Sequence, residues 1–551
     1  MALAQLETVR TGPATTCVIG SGPIGLALAA DLARSGRHVV ILESGTSAPD
    51  AQITGLSGAQ IDPARHDDMA IATSRQIGGT SNLWGGRALP FDPVDFAPRD
   101  WIPARWPITY DEMAAWLPAA VQATTSGKPV YTEPLGDDAI GRAFTRGDST
   151  FRADVLERWV NRQQAQVVHA DVIAESNHLQ LVPCATVTGL NFAENGRVAS
   201  IDVRDSLCGK LRTLEVGTLV VAAGGLETTR LLLAAQREAP DRFGGLHGPL
   251  GRYYQGHLVG EIADLHFAQP EYAAAFDFRV DQHGSYVRRR IVASDALQHQ
   301  ERLLNCAFWP VVPRIGHAEH GSAILSMIYL VMRMGPVARL VVAEKIRQMS
   351  LTADDSPLPG HVLNLLRGAP AAAVFGVNFL RQRFDRRTRL PGLFVRNARG
   401  IYGLSYHSEQ TPDPESRVTL TNETDRLGLP RLAIDLRFCA DDAASTIRQH
   451  VLLGQWLQRA GIGQLHYRDA PEDRAEAVLA QARHGTHQVG TARMALSHHD
   501  GVVDRDCTTF DSPNLHLATT AILPTSGQAN PTLTAVALAL RLADRLKRAP
   551  A

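Results

Sequence analysis

The sequence predicts an α/β protein, or α+β overall, of two domains. One is a Rossmann-like nucleotide-binding domain assembled from discontinuous segments. The other carries a β-sheet with covering helices. Three observations predict this. A strand–glycine turn–helix–strand run opens the chain, two further strand–glycine–helix runs recur near its middle and its end, and 551 residues are too many for one simple hydrophobic core.

In the opening run, Cys17–Ile19 reads as a short buried strand that passes into GSGPIGLALAADLARSG. Small and aliphatic residues recur there at helical spacing up to Gly36, a helix stop, and a second strand, His38–Leu42, ends at Glu43. Gly20, Gly22 and Gly25 form G-x-G-x-x-G, and Glu43 follows eighteen residues after the last of them. Gly20 permits the tight turn, Gly22 lets a pyrophosphate approach the backbone, and Gly25 lets helix and strand pack closely. The helix N-terminus favours the anion, and Glu43 accepts from ribose hydroxyls while repelling a 2′-phosphate.

The second run is Leu219–Ala223, then Gly224-Gly225, then a helix from Glu227 to Gln236. The third is a strand at Leu515–Ala518, a loop rich in Pro, Ser and Gly, and a helix from Pro531 to about Arg545. The expected division is residues 1–100, 180–255 and 480–551 for the nucleotide domain, with 101–179 and 256–479 on the substrate side. Tyr254–Val292 and Gln410–Phe438 alternate in the manner of strands and are expected in the substrate-side sheet. Ala318–Leu380 reads as helices interrupted by proline and glycine. Its most apolar runs, Leu325–Val342 and Val362–Leu380, are broken by Arg333, Arg339 and Arg367, so no transmembrane segment is expected. Two readings of this region are open: a lid or a patch that meets a membrane or partner, or ordinary helices covering the substrate domain.

The bulk numbers exclude some classes. A net charge of −1 gives no nucleic-acid footprint. The six cysteines contain no C-x-x-C pair and are spaced for neither a zinc cage nor a disulfide framework. The opening residues lack a basic stretch followed by an apolar one, which predicts no export signal and a cytoplasmic location. His484 and His487 form H-x-x-H, but no matching ligand set accompanies them, so no metal is expected; His498-His499-Asp500 reads as a solvated loop.

A second glycine-rich run, Ile77 to Gly86, contains Gly78, Gly79, Thr80, Asn82 and Leu83. Its backbone N–H groups suit a phosphate or a flat ring; taken alone, the same composition also makes a surface loop. With this run, VVAAGGLETTRLLL and a C-terminal series of HQVGTARM from His487, GVVD from Gly501 and PTSGQANPTLT from Pro524, the chain resembles the glucose–methanol–choline (GMC) oxidoreductase family over nearly its whole length. The ANPTLT ending is most similar to the branch of pyranose 2-oxidase and related bacterial sugar oxidoreductases.

The resemblance implies FAD and oxidation of an alcohol group. His487 matches the family's catalytic histidine and Asn530 its second active-site position, although Asn530 before Pro531 also suits a turn. The implied FAD contacts are Gly20, Gly22, Gly25, Glu43, Gly78, Gly79, Thr80, Asn82, Leu83, Val187, Pro531 and Thr532. Leu83 stands where some members carry a histidine bonded to the flavin, which predicts non-covalent FAD. His487 is expected to take the hydroxyl proton, flavin N5 the hydride, and Asn530 to hold the oxygen. The implied substrate is a small-molecule alcohol, sugar-like by the branch resemblance, with O2, a quinone or a carrier protein as acceptor. A lipophilic alcohol such as a sterol or terpenoid, and a flavin-dependent lyase reaction, are the alternatives. Arg417, Glu409 and Gln410 face the substrate in one reading and are strand-edge charges in the other.

Overall fold

Three distant pieces of chain meet in one sheet. The computed structural model describes residues 3–548 except 137, 147, 342–346, 348–350, 352–354 and 386. From one edge, the six strands run Thr508–Thr509, Ser512–Leu517, Thr218–Val221, Thr16–Ile19, Val39–Leu42 and Leu179–Val182. All pairings but the first are parallel. TCVI and VVIL are apolar except for Thr16 and buried along their whole length, as strands covered on both faces must be. The Pro23–Arg34 helix takes proline in its first turn and buries nine residues, and the Thr532–Arg548 helix packs beside it. Two of the glycines are sterically required. Gly20 has φ +100°, and a Cβ on Gly25 would lie 2.2 Å from the Gly20 carbonyl oxygen.

The second sheet has seven strands, all paired antiparallel. Six run in the order Arg279–Val280, Tyr286–Ala293, Cys306–Val311, Ile401–Ser408, Leu258–Phe267 and Gly463–Tyr467, and Phe151–Arg158 pairs with Tyr286–Ala293. Its core includes Ile262, Leu265, Phe276, Phe308, Tyr402 and Trp456. The region expected to be helical contains Ala323–Arg333, Gly335–Val341, Leu358–Arg367 and Ala369–Arg383, inserted between the Cys306–Val311 and Ile401–Ser408 strands.

Two expectations need correction. Arg417–Thr424 and Pro430–Asp435 do not join the large sheet; they pair with Ala59–Ile61 in a separate three-stranded sheet. Within 101–179, the chain around Met113, Leu117, Val121, Val172 and Ile173 packs into the core of the parallel sheet, not onto the substrate side. Its apolar positions cover the helix layer that the parallel sheet requires, and no local pattern distinguishes that partner from the other sheet.

Candidate active site

A cleft opens at the carboxyl ends of the Thr16–Ile19 and Thr218–Val221 strands, where an open α/β sheet places its ligand. Gly20, Gly22, Glu43, Gly79, Thr80, Val187, Pro531 and Thr532 line it. No side chain caps the N-terminus of the Pro23–Arg34 helix, and a Cβ on Gly22 would meet nothing within 4 Å. Free helix N–H groups beside an open glycine face form a cradle that fits a dinucleotide pyrophosphate. Burial pushes the Glu43 carboxyl up. Its Oε2 accepts from the Ser21 N–H at 2.8 Å and the Ser21 hydroxyl at 2.6 Å, and its Oε1 accepts from the Gly45 N–H at 2.7 Å. The acid thus fixes the turn as well as lining the cleft, and its oxygens keep acceptor capacity for hydroxyls.

The remaining residues expected at the cofactor lie elsewhere. Gly25 is packed against Gly20, and Gly78, with φ +93°, turns the chain beside Gln166. Asn82 staples its own loop: its amide nitrogen donates to Ile77 O and Gly79 O, and its oxygen accepts from Gln164 and Gln166. Leu83 is 41% exposed. The sequence missed Arg75, which reaches the cleft wall and bonds Ser44, Ser57 and Glu227 at 2.6–2.7 Å.

Beside the cleft stands a group of four histidines. His487 Nε2 lies 2.9 Å from Asn530 Nδ2, and His487 Nδ1 lies 2.9 Å from His257 Nδ1. His257 Nε2 is 3.1 Å from the Ser526 carbonyl oxygen. A carbonyl can only accept, so His257 carries its proton on Nε2 and presents a bare Nδ1. His487 must then donate from Nδ1, which leaves Nε2 as the lone-pair nitrogen facing Asn530. His257 is wholly buried, and burial pushes it down to about 3, so it stays neutral. His407 stacks on His257 at 4.2 Å, donates from Nδ1 to Gln528 O, and is likewise held well below its usual range by burial and by its neighbours His257 and Arg87. Asn530 Oδ1 is buried with no hydrogen-bond partner, a vacant acceptor beside a lone-pair nitrogen.

The ring nitrogens of His257, His484 and His487 lie within 4.8 Å of one another. The H-x-x-H pair thereby gains a third histidine that the sequence reading did not supply. The His257–His487 contact is already explained as a hydrogen bond.

The backbone of 526–530 is fixed from below. Gln528 Nε2 donates to Asp92 at 2.7 Å, Gln410 N donates to Ser526 Oγ at 3.0 Å, and Arg99 clamps Glu409 through two bonds of 2.6 and 2.7 Å. Glu409 and Gln410 are therefore buried supports of this loop, whereas Arg417 is a partly exposed partner of Glu415. Arg87 and Trp309 also reach the cluster: the guanidinium lies 4.7 Å over the indole, and Trp309 is 6.5 Å from His407.

Fold and site together define a class, a dinucleotide-dependent redox protein with a histidine–asparagine pair beside its cofactor cleft. A family model described as FAD dependent oxidoreductase matches residues 15–297, and one described as GMC oxidoreductase matches 412–539. The chain belongs to the FAD-dependent oxidoreductases, in the GMC family. It is 24% identical over 308 residues to a 2-methyl-1,2-propanediol dehydrogenase of Mycolicibacterium austroafricanum, and 30% identical over 155 residues to the large subunit of a fructose dehydrogenase of Gluconobacter japonicus. These matches cover 45% and 27% of this chain and only 56% and 26% of the relatives' own lengths. Among solved structures, a pyridoxine 4-oxidase from Mesorbium loti superposes with TM-score 0.54 at 17% identity, covering 98% of this chain and all of that one. A fungal aryl-alcohol oxidase gives 0.52 at 14%, covering 98% and 99%. At such identities the likeness is one of fold. Among the described residues, no single helix is long and apolar enough to cross a membrane.

Proposed function

We propose that this protein oxidises an alcohol carbon to a carbonyl with non-covalently bound FAD, and that its substrate is a sugar, glycoside or related polyhydroxylated small molecule. The carrying observation is the ordered proton chain from Asn530 through His487 and His257 to the Ser526 carbonyl. It supports a base whose reactive nitrogen is chosen in advance.

Bound FAD supplies the acceptor for the hydride that leaves the alcohol carbon. The protein does the rest. His487 Nε2 accepts the hydroxyl proton. The Asn530 amide, whose N–H donates to His487 Nε2, passes that N–H to the substrate oxygen when the hydroxyl takes its place at Nε2, and its Oδ1 accepts from a neighbouring hydroxyl. His257 keeps the His487 Nδ1 proton in place and, being neutral, adds no charge that would oppose protonation of His487. Leu83, which the family resemblance aligns with the histidine that some members bond to the flavin, carries no nucleophile, which supports non-covalent binding.

A diol and a sugar stand in the names of the two curated relatives, which supports the polyhydroxylated class. A lipophilic alcohol is the second reading, favoured by Phe379 of the inserted helices, which packs into the cluster of Trp159, Phe278 and Tyr286 on the substrate-side sheet. Turnover with a panel of sugars, glycosides, polyols, sterols and terpenoid alcohols, using either O2 or a soluble quinone as acceptor, separates the readings. We expect kcat/KM at least tenfold higher for a polyhydroxylated compound than for any lipophilic one. The reverse order overturns the substrate assignment and leaves the chemistry intact. The same panel names the acceptor.

A further inference from the structure

We propose that the inserted helices form a docking surface for an anionic lipid bilayer. Of the twenty large hydrophobic side chains that are exposed among the described residues, eleven lie between Met334 and Phe384. That stretch is under a tenth of the chain, so this is a patch and not the usual scatter.

The Leu358–Arg367 helix has its polarity reversed. His361 and Asn364 point inward: His361 bonds Gly316 O at 3.0 Å and Ser326 Oγ at 3.1 Å, and Asn364 donates to Ala318 O at 2.7 Å. Leu358, Val362 and Leu366, at four-residue spacing, point outward, and Leu366 is 74% exposed. The Ala369–Arg383 helix similarly shows Val374, Val377 and Leu380 on its outer face while burying Ala372. A helix that buries its polar side and exposes its leucines is suited to an apolar medium on its outer face.

Charge decides what that medium is. Among the described residues, the Ala323–Arg333, Gly335–Val341, Leu358–Arg367 and Ala369–Arg383 helices contain five arginines and no aspartate or glutamate, and the insert's described acids, Glu319, Asp355 and Asp385, lie outside these helices. Arg333, Arg367 and Arg381 are exposed. A second copy meeting this face across a two-fold axis would set like charges together, whereas an anionic headgroup layer complements them. The geometry selects lying on the membrane over crossing it. The Leu358–Arg367 and Ala369–Arg383 helices are about 15 and 22 Å long at 1.5 Å per residue, each shorter than a ~30 Å hydrocarbon core, and their 91° bend suits a pair that lies along the surface.

The test is flotation of the full-length, flavin-loaded protein with phosphatidylcholine vesicles and with equimolar phosphatidylcholine–phosphatidylglycerol vesicles. The expected result is at least tenfold more bound protein on the anionic vesicles, with loss of binding in Leu366→Asp/Val377→Asp and in Arg367→Glu/Arg381→Glu. Both variants should keep the wild-type flavin spectrum and turnover. Failure to float with anionic vesicles overturns the proposal. So does equal binding to both vesicle types, or wild-type binding by the variants. If Leu366→Asp/Val377→Asp instead converts a dimer to a monomer while wild type ignores vesicles, the face belongs to a second copy and the proposal is wrong.

Discussion

His487→Gln lowers the rate of substrate-driven flavin reduction by roughly 10²–10⁴-fold, the contribution of a well-placed general base, while the protein still binds flavin. The distinction follows from geometry: the cofactor cleft is lined by Gly20, Gly22, Glu43 and Thr532, and His487 stands beside it, bonded to Asn530 and His257. Its companion is His257→Phe. That side chain cannot receive the Nδ1 proton of His487, so both His487 tautomers become populated and only one has a bare Nε2. We expect kcat to fall by roughly 2–10-fold with KM changed little, well below the ~10²–10⁴ that a general base supplies in full, because only part of His487 is lost to the wrong tautomer. His257→Asn, whose amide oxygen can accept, should recover part of that loss. Stopped-flow absorbance of the flavin under anaerobic conditions reads all three variants. Equal rates in wild type and His487→Gln would remove His487 from the chemistry.

The second large effect is on stability. Burial pushes His169, His450 and His516 down to about 4 and His257 down to about 3, so the folded protein holds all four neutral. Unfolded, each titrates near 6.5. Between those values the unfolded state binds more protons than the folded one, so stability from these groups is complete above about pH 6.5 and is lost as pH falls toward 4. Each contributes about 1.4 kcal/mol per pH unit within that window. Glu43, Asp95 and Asp442, which burial pushes up, act in the opposite sense, so the sharpest reading is a difference between proteins. His450 donates from Nδ1 to Thr446 O at 2.8 Å, a bond that His450→Gln can keep without taking up a proton. Urea denaturation at pH 7.0 and 5.5 should give a loss of stability between the two pH values that is smaller in this variant by about 1 kcal/mol in total. Identical losses would show that His450 is protonated in the fold.

The parallel sheet was legible because its signals are local. TCVI, VVIL and TLVV are each bounded by glycine turns, and the steric demands on Gly20 and Gly25 act over a few residues. The His487–Asn530 pairing was legible only through family resemblance, because 43 residues separate the two. His257 and His407 carried no signal of their own. They meet because Val259 pairs with His407 across two antiparallel strands, a register that depends on the whole sheet. The wrong placement of Arg417–Thr424 has the same cause: alternation predicts a strand but does not name its partner. Asn82 and Leu83 were assigned by family resemblance, which places a loop near the cofactor but does not distinguish a residue that faces a ligand from one that ties the loop together. The inserted helices were legible as helices, but which face is exposed depends on His361 and Asn364 finding buried partners in Gly316, Ala318 and Ser326.

The most direct test of the central claim is a single anaerobic turnover. The flavin-loaded protein is mixed with an excess of its best alcohol in the absence of any acceptor, and flavin absorbance and carbonyl product are measured together. The account predicts loss of the oxidised-flavin absorbance with one carbonyl formed per flavin, and slower bleaching when the alcohol carbon carries deuterium. Carbonyl formed without bleaching would contradict it and point to a lyase reaction; bleaching indifferent both to deuterium and to His487→Gln would contradict it by removing C–H cleavage and His487 from the rate.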